Sequence, residues 1–307
     1  ELGSRILLAL QLLRGGAEVW IGQQLWFARN FAALKPGVAL FKGNNMPQVA
    51  NMRAARLMGH RTSSIDEEVF GLLDASGKRI HDHRASRYCD LFLAQGDVQR
   101  TFLEQDQGIQ ADRIKVVGNP RVDLSSGPAR AILDGIAQDI RDQMGLFVLI
   151  NTNFGAVNPH DQDTYNYYQR CIAIKAVDPT DAKSVETFHQ LCRFEITNLR
   201  AIAAFIAEFR RLSPRTKVAI RPHPAEDPGS WHAAHGEDPN VVVIQDKRHL
   251  AWNRAAHILV HTSCTTGFEG YLLGARVIGL VPDPDNPWSH RYLSNRLGEI
   301  DREPTTA

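Results

Sequence analysis

Nine short strand candidates of four to six residues, all but the polar 61–65 rich in apolar residues, punctuate this chain in two series, and that arrangement restricts the fold more than any other feature. The first series occupies 38–42, 61–65, 91–94 and 114–117; the second occupies 146–151, 217–221, 241–245, 258–261 and 276–281. Segments with helical apolar spacing, such as 46–57, 86–91 and 188–212, separate many of them. Runs this short, alternating with helices, describe strands of a parallel sheet joined by helical crossovers. Two series describe two α/β domains.

The chain opens with Leu2, Ile6, Leu7, Leu10 and Leu13 at helical spacing, then Gly15-Gly16, then the strand-like Glu18-Val-Trp-Ile21. This reads as the second half of a βαβ unit, so a first strand is expected ahead of Leu2 that the sequence does not contain. The domain boundary is expected at 122/123, giving units 1–122 and 123–307. Near it lies Gly118-Asn-Pro-Arg-Val-Asp123, where Pro120 holds Asn119 out of a helix and Gly118 permits an unusual turn, as a hinge requires. Residues 155–184 are polar and Pro-interrupted and read as an insertion over a cleft rather than a core element.

With 43% apolar residues, 307 positions suffice for two cores. The 35 basic and 34 acidic residues nearly cancel, which argues against a nucleic-acid partner and leaves any anion site local. Cys89, Cys171, Cys192 and Cys264 are far apart and match no metal pattern, as expected of free thiols in the cytoplasm. No apolar stretch approaches the ~20 residues that cross a bilayer, so any association with the inner face of the cell membrane is expected to be peripheral.

Two motifs end strands of the second series. Arg221-Pro222-His223-Pro224 closes the run at 217–221: Arg221 can fork onto a phosphate or carboxylate, and His223 can donate to a phosphoryl oxygen. The prolines fix the backbone between them. His261-Thr-Ser-Cys-Thr-Thr-Gly-Phe-Glu269 closes the run at 258–261. Thr262 or Ser263 can cap a short helix whose Phe268, Tyr271 and Leu272 face inward and which ends at Gly274. The hydroxyls of Ser263, Thr265 and Thr266 and the free amides at that helix start could hold a phosphate, although hydroxyl residues also cap ordinary helices. Glu269 could accept from ribose hydroxyls or simply support the positive end of the helix.

In the first series, Ser64-Ile-Asp-Glu-Glu68 ends a strand with three carboxylates. Asp66 and Glu67 are the leading candidates for a base on an acceptor hydroxyl or a nucleophile at an anomeric carbon, or they are an acidic first helical turn. Asn151, Asn153 and Asn119 are expected to line the cleft with amide donors and acceptors. Asp283-Pro-Asp285 is expected to be a loop rather than a metal site, and His81-Asp-His83 and His160 exposed polar loops.

The motifs Ile-Asp-Glu-Glu, Val117-Gly-Asn-Pro-Arg-Val-Asp123, Leu149-Ile-Asn-Thr-Asn-Phe154, Arg221-Pro-His-Pro224 and His261-Thr-Ser-Cys-Thr-Thr-Gly267 resemble, in the same order, those of bacterial surface carbohydrate biosynthesis proteins. That family is similar to capsule Kdo transferases and, more distantly, to bacterial sialyltransferases. The hinge sequence is also similar to that of non-hydrolysing UDP-N-acetylglucosamine 2-epimerases. The resemblance implies a GT-B glycosyltransferase, two Rossmann-like domains facing across a cleft, with an N-terminal acceptor domain and a C-terminal donor domain. It implies a CMP-activated Kdo-like or sialic-acid-like donor. His223, Ser263, Thr265 and Thr266 would contact the CMP phosphate, and the acidic cluster would serve the reaction centre. It further implies a glycan or lipid-linked glycan acceptor. One departure stands out: Glu68 is followed by Val69-Phe70, where those relatives place Gly directly. No metal and no cofactor is expected. A UDP-N-acetylglucosamine or CDP-glycerol substrate on the same fold, or a catalytically silent subunit of a polysaccharide assembly complex, are the alternatives.

Overall fold

The structure is a computed structural model that describes residues 2–67, 70–71 and 81–297. The third carboxylate of the acidic motif, at 68, lies outside the described residues. The chain divides into two compact units, Glu1–Arg130 and Ala131–Ala307. The division falls near the start of a helix, some residues beyond the expected 122/123.

In the first unit α1 (Leu2–Arg14) and α2 (Gln24–Asn30) precede β1 (Val38–Phe41), α3 (Met46–Leu57), β2 (Arg61–Ile65), α4 (Ala85–Tyr88), β3 (Leu91–Ala94), α5 (Asp97–Thr101), β4 (Ile114–Val116) and α6 (Pro120–Asp123). The strands pair in parallel in the order β1-β2-β3-β4. Phe41, Phe92 and Ile114 from the sheet meet Val49, Met52 and Ala55 of α3 to make the core. Asn45 caps α3 by accepting from Gln48 N, with Pro47 in the first turn.

Glu18-Val-Trp-Ile21 is not a strand. It runs as exposed irregular chain, with Trp20 and Ile21 both facing solvent. Trp20 Nε1 bonds locally to Glu18. No described strand pairs with it, and a strand without a ladder has nothing to satisfy its backbone groups.

The second unit begins within α7 (Gly127–Met144) and continues β5 (Phe147–Asn151), α8 (Thr164–Ala173), α9 (Ala182–Leu212), β6 (Lys217–Arg221), α10 (Pro228–His235), β7 (Val241–Val243), α11 (His249–Ala255), β8 (Ile258–His261), α12 (Thr265–Leu272) and β9 (Val277–Gly279). Its sheet is parallel, in the order β7-β6-β5-β8-β9. Successive residues of β5 point to opposite faces, and both faces are covered. Phe147 and Leu149 meet Ala137 and Ile140 of α7 and Trp252 of α11. Val148 and Ile150 meet Ile202 and Ile206 of α9 and Trp231 of α10. That explains why this strand reads as a continuous apolar run instead of an alternating one.

Residues 155–184 are more integrated than an insertion. Asp163 caps α8, Tyr167 and Tyr168 pack on Phe188 of α9, and Ala156 and Val177 are buried. Their polarity comes from caps and turns, which sequence alone does not separate from a surface loop.

Candidate functional site

The second sheet reverses direction of growth between β5 and β8. In open α/β sheets, ligands bind beyond the carboxyl ends of the strands at such a reversal. Arg221, Asn151, His261 and Gly279 end β6, β5, β8 and β9 and stand in one row, in register. With neighbouring strands about 4.8 Å apart, the first and third residues of the row are about 10 Å apart.

This row is polar and incompletely paired. Arg221 Nε, Asn151 Oδ1, Thr262 Oγ1 and both ring nitrogens of His261 are buried with no hydrogen-bond partner in the protein. Most buried polar groups in folded proteins are paired, so several orphans at one strand end mark the place as unusual. The amide side of Asn151 is committed: it donates to Asn253 Oδ1 of α11 at 2.9 Å. Asn253 in turn donates to the Thr266 carbonyl at 3.3 Å. Asn151 thus ties β5 to two helices and offers a ligand only its oxygen.

His261 is fully buried, and burial lowers its pKa to about 4; the ring is neutral near pH 7. It lies against Gly267, where an added Cβ would stand 2.3 Å from Nε2. Gly270 makes a similar approach to Leu259, at 2.8 Å. The inward face of α12 is therefore Gly267, Gly270 and Leu273, with Glu269 buried beside them. Phe268, Tyr271 and Leu272, expected to face inward, are only half-buried. Close packing of helix on strand needs residues without side chains, and a rule that scores large apolar residues as inward overlooks them.

Neither Thr262 nor Ser263 caps α12. The N-cap is Cys264, with no side-chain cap bond. Ser263 instead adopts φ 50°, a left-handed conformation that costs a non-glycine residue about 1–2 kcal/mol. Its Oγ accepts from Asn295 Nδ2 at 2.8 Å. Thr266 Oγ1 donates to Cys264 Sγ at 3.1 Å, and Thr265 is half-buried on the first turn. The chain gives up the usual cap to turn sharply at Ser263, which leaves the helix start with its amide dipoles uncapped by a side chain. Glu269 sits 3.3 Å from His249 Nε2, at the start of α11. Burial lowers the pKa of Arg221, opposed by the nearby carboxylates of Glu269 and Asp246; these residues are electrical neighbours.

His223 lies two residues past the strand end, in a turn built around a residue the sequence did not single out. Glu226 is buried, and its Oε1 accepts from Thr152 Oγ1 at 2.7 Å and from His223 N at 2.9 Å. Oε2 accepts from Trp231 Nε1 at 3.2 Å. His223 Nδ1 accepts from Ala225 N at 3.1 Å, so the neutral ring carries its proton on Nε2. Although the residue is exposed to solvent, protein packed around the ring lowers its pKa. His223 is a neutral donor rather than a cation.

Asn153 is half-buried and bonds to Tyr292, whose hydroxyl burial pushes up to about 12. Glu195 of α9, also missed, is buried and accepts from Ala156 N at 2.8 Å and Val157 N at 3.3 Å. Burial raises its pKa to about 8, with the Glu226 charge adding to the rise. In sequence, Glu226 and Glu195 look like surface acids; His261 alone had a signal, as a polar residue closing an apolar run.

In the first unit, Asp66 and Glu67 follow β2 and are both buried. Arg5 of α1 pairs with Glu67 at 3.0 Å. The Asp66 carbonyl accepts from Gln95 Nε2, and Gln95 Oε1 accepts from Asn119 Nδ2 at 2.8 Å. Asn119 also caps α6 by accepting from Arg121 N. Its amide is thus spent inside the unit. His81, expected in an exposed loop, is half-buried on Phe102 with its pKa lowered to about 4 by burial. Among the described residues, no group of three or more His, Cys, Asp or Glu could hold a metal ion, and all four cysteines are free. No described helix is long and apolar enough to cross a membrane.

No protein family matches this sequence, and no curated protein does. Solved structures do resemble it. The UDP-GlcNAc 2-epimerase of Methanocaldococcus jannaschii, in complex with UDP-GlcNAc and UDP, matches with a TM-score of 0.51 at 13% identity, over 85% of this chain and 66% of that one. The S. aureus MnaA–UDP structure matches at 0.49 and 13%, over 94% and 73%. The wall teichoic acid polymerase TagF matches at 0.43 and 11%, over 77% and 54%. The chain spans 66% of the length of the M. jannaschii enzyme. That likeness and the two parallel sheets define the fold as α/β with two Rossmann-like domains of the GT-B type.

Proposed function

We propose that this chain is a nucleotide-sugar enzyme whose second unit holds the nucleotide at the carboxyl ends of β5, β6 and β8. The observation that carries this reading is the row of buried, unpartnered polar atoms on Arg221, Asn151, Thr262 and His261 at the sheet reversal, beside the start of α12. A phosphate is the ligand that such a set suits: a guanidinium, hydroxyls at Ser263, Thr265 and Thr266, and helix-start amides all favour an anion. The His223 Nε2–H adds a neutral donor, and Glu269, oriented by His249, is the acceptor for ribose hydroxyls. In the bond-breaking step these groups stabilise charge on the departing nucleotide.

Our finer reading is transfer of a Kdo-like or sialic-acid-like sugar from CMP to a glycan or lipid-linked glycan acceptor, following the order of the sequence motifs. Asp66 and Glu67, in the first unit, are the carboxylates proposed as base or nucleophile. A second reading, a UDP-N-acetylglucosamine epimerase or transferase, is favoured by the likeness to the M. jannaschii enzyme, solved with UDP-GlcNAc and UDP.

Titration calorimetry with CMP, UDP and CDP tests the site. One nucleotide is expected to bind the wild type, and Arg221→Ala to weaken it on the order of tenfold to a hundredfold, by loss of a charge-assisted contact. Binding of none of the three would refute the nucleotide reading; preference for UDP would refute the CMP donor. Product formation with a chelator present separates transfer by protein groups alone from metal-assisted transfer.

A further inference from the structure

A chain of hydrogen bonds runs from α12 to the middle of the strand-end row, and its direction is fixed at one end. Asn253, fully buried on α11, donates through Nδ2 to the Thr266 carbonyl in the first turn of α12. A backbone carbonyl can only accept, so the Asn253 amide cannot be turned round, and its Oδ1 faces the other way. Asn151 Nδ2 donates to that oxygen. Asn151 must then hold its own Oδ1 away from Asn253, and this buried oxygen has no partner among the described residues.

The oxygen shares a face of the sheet with Arg221. Leu149, Ala219 and Leu259 lie in one core with Trp252 of α11. Asn151, Arg221 and His261 stand two residues beyond them on β5, β6 and β8, and alternate residues of a strand point the same way. Arg221 and Asn151 are neighbours in register, on strands about 4.8 Å apart. Arg221 Nε–H lacks an acceptor and Asn151 Oδ1 lacks a donor, so the two do not bond to each other. A donor and an acceptor side by side call for the opposite pair on a ligand: an anionic oxygen for the guanidinium and an O–H close to it for the amide. An ionised phosphate alone offers no such donor.

We infer that Asn253 is a positioning residue that makes Asn151 an obligate acceptor for a ribose hydroxyl, so that the site selects ribonucleotides over their deoxy forms. The inference deepens the nucleotide reading and rests on it. Ribose carries two adjacent hydroxyls, and two acceptors stand near Arg221: the Asn151 oxygen and the Glu269 carboxylate. An analogue that lacks the hydroxyl facing Asn151 leaves a buried oxygen unpaired and is rejected for that reason.

Titration calorimetry tests this with whichever of CMP, UDP and CDP binds the wild type, set against its 2′-deoxy and 3′-deoxy forms. Loss of one hydroxyl is expected to weaken binding to the wild type at least about tenfold. In Asn253→Ala, where the Asn151 amide is free to turn, the same deletion should cost less than about threefold, while the hydroxyl held by Glu269 keeps its effect. The 2′ and 3′ arms show which hydroxyl meets Asn151. Circular dichroism checks that the variant is folded; if it is not, Asn151→Leu, which removes the acceptor itself, must level the two ligands in the same way. Wild-type binding that ignores both deletions, or a penalty unchanged in the variant, would overturn the inference and leave the nucleotide reading intact. Binding of none of the three nucleotides would end both.

Discussion

Replacing Glu195 by Gln tests the electrostatics of the second unit most directly. Its carboxyl is buried on α9, accepts two backbone N–H groups from 156 and 157, and has a pKa raised from 4.5 to about 8, first by burial and further by the Glu226 charge. The folded protein therefore holds a proton at pH 7 that the unfolded chain has released. Below about pH 4.5 both states are protonated and no penalty arises. As pH rises from 4.5 to 8 the unfolded state binds fewer protons than the folded state, so stability falls by about 1.4 kcal/mol per pH unit. The accumulated loss is on the order of 5 kcal/mol at pH 8 and above, an upper estimate because the buried carboxyl can relax toward water. Gln mimics the protonated acid: it keeps an oxygen for the two amides and cannot ionise. Urea unfolding at pH 5, 6, 7 and 8 should show Glu195→Gln gaining on wild type with each step, by a few kcal/mol in all. Parallel pH profiles for the two proteins would refute the buried neutral acid.

Two further substitutions probe the site's framework. Glu226→Ala removes the acceptor shared by Thr152, His223 N and Trp231 and leaves buried donors unpaired, so denaturant unfolding should show a loss of about 3–5 kcal/mol, with Glu226→Gln much milder. A loss below about 1 kcal/mol for the alanine variant would mean that the turn does not rest on this carboxylate. Gly267→Ala drives a methyl into the His261 ring; overpacking exceeds the gain in helix propensity, and thermal unfolding should show a net loss of about 1–3 kcal/mol. An unchanged or raised Tm would show that α12 can lift off β8 freely.

Much of the backbone could be read from the chain alone. The strands at Leu91–Ala94, Lys217–Arg221 and Ile258–His261 and the helix Met46–Leu57 stand where the runs and spacings put them, because burial on two faces favours short continuous apolar stretches; the strand Arg61–Ile65 also stands where expected, though it buries Thr62, Ser63 and Ser64. The glycines at 118 and 274, at φ 78° and 74°, were legible because few other residues tolerate that backbone. Glu18-Val-Trp-Ile21 misled because strand-forming residues need a neighbouring strand, which composition does not supply.

For the site, the sequence determined the chemical inventory: an arginine and a histidine closing apolar runs, a hydroxyl-rich turn, and carboxylates after β2. Strand order and register were decided only by the tertiary structure, and they bring Arg221, Asn151 and His261 into one row from positions as much as 110 residues apart. The same holds for burial. Glu195 and Glu226 become an acid that keeps its proton and a structural clamp because of what the fold packs around them. A side chain's charge and hydrogen-bonding capacity are local properties, while its desolvation and partners belong to the packed chain.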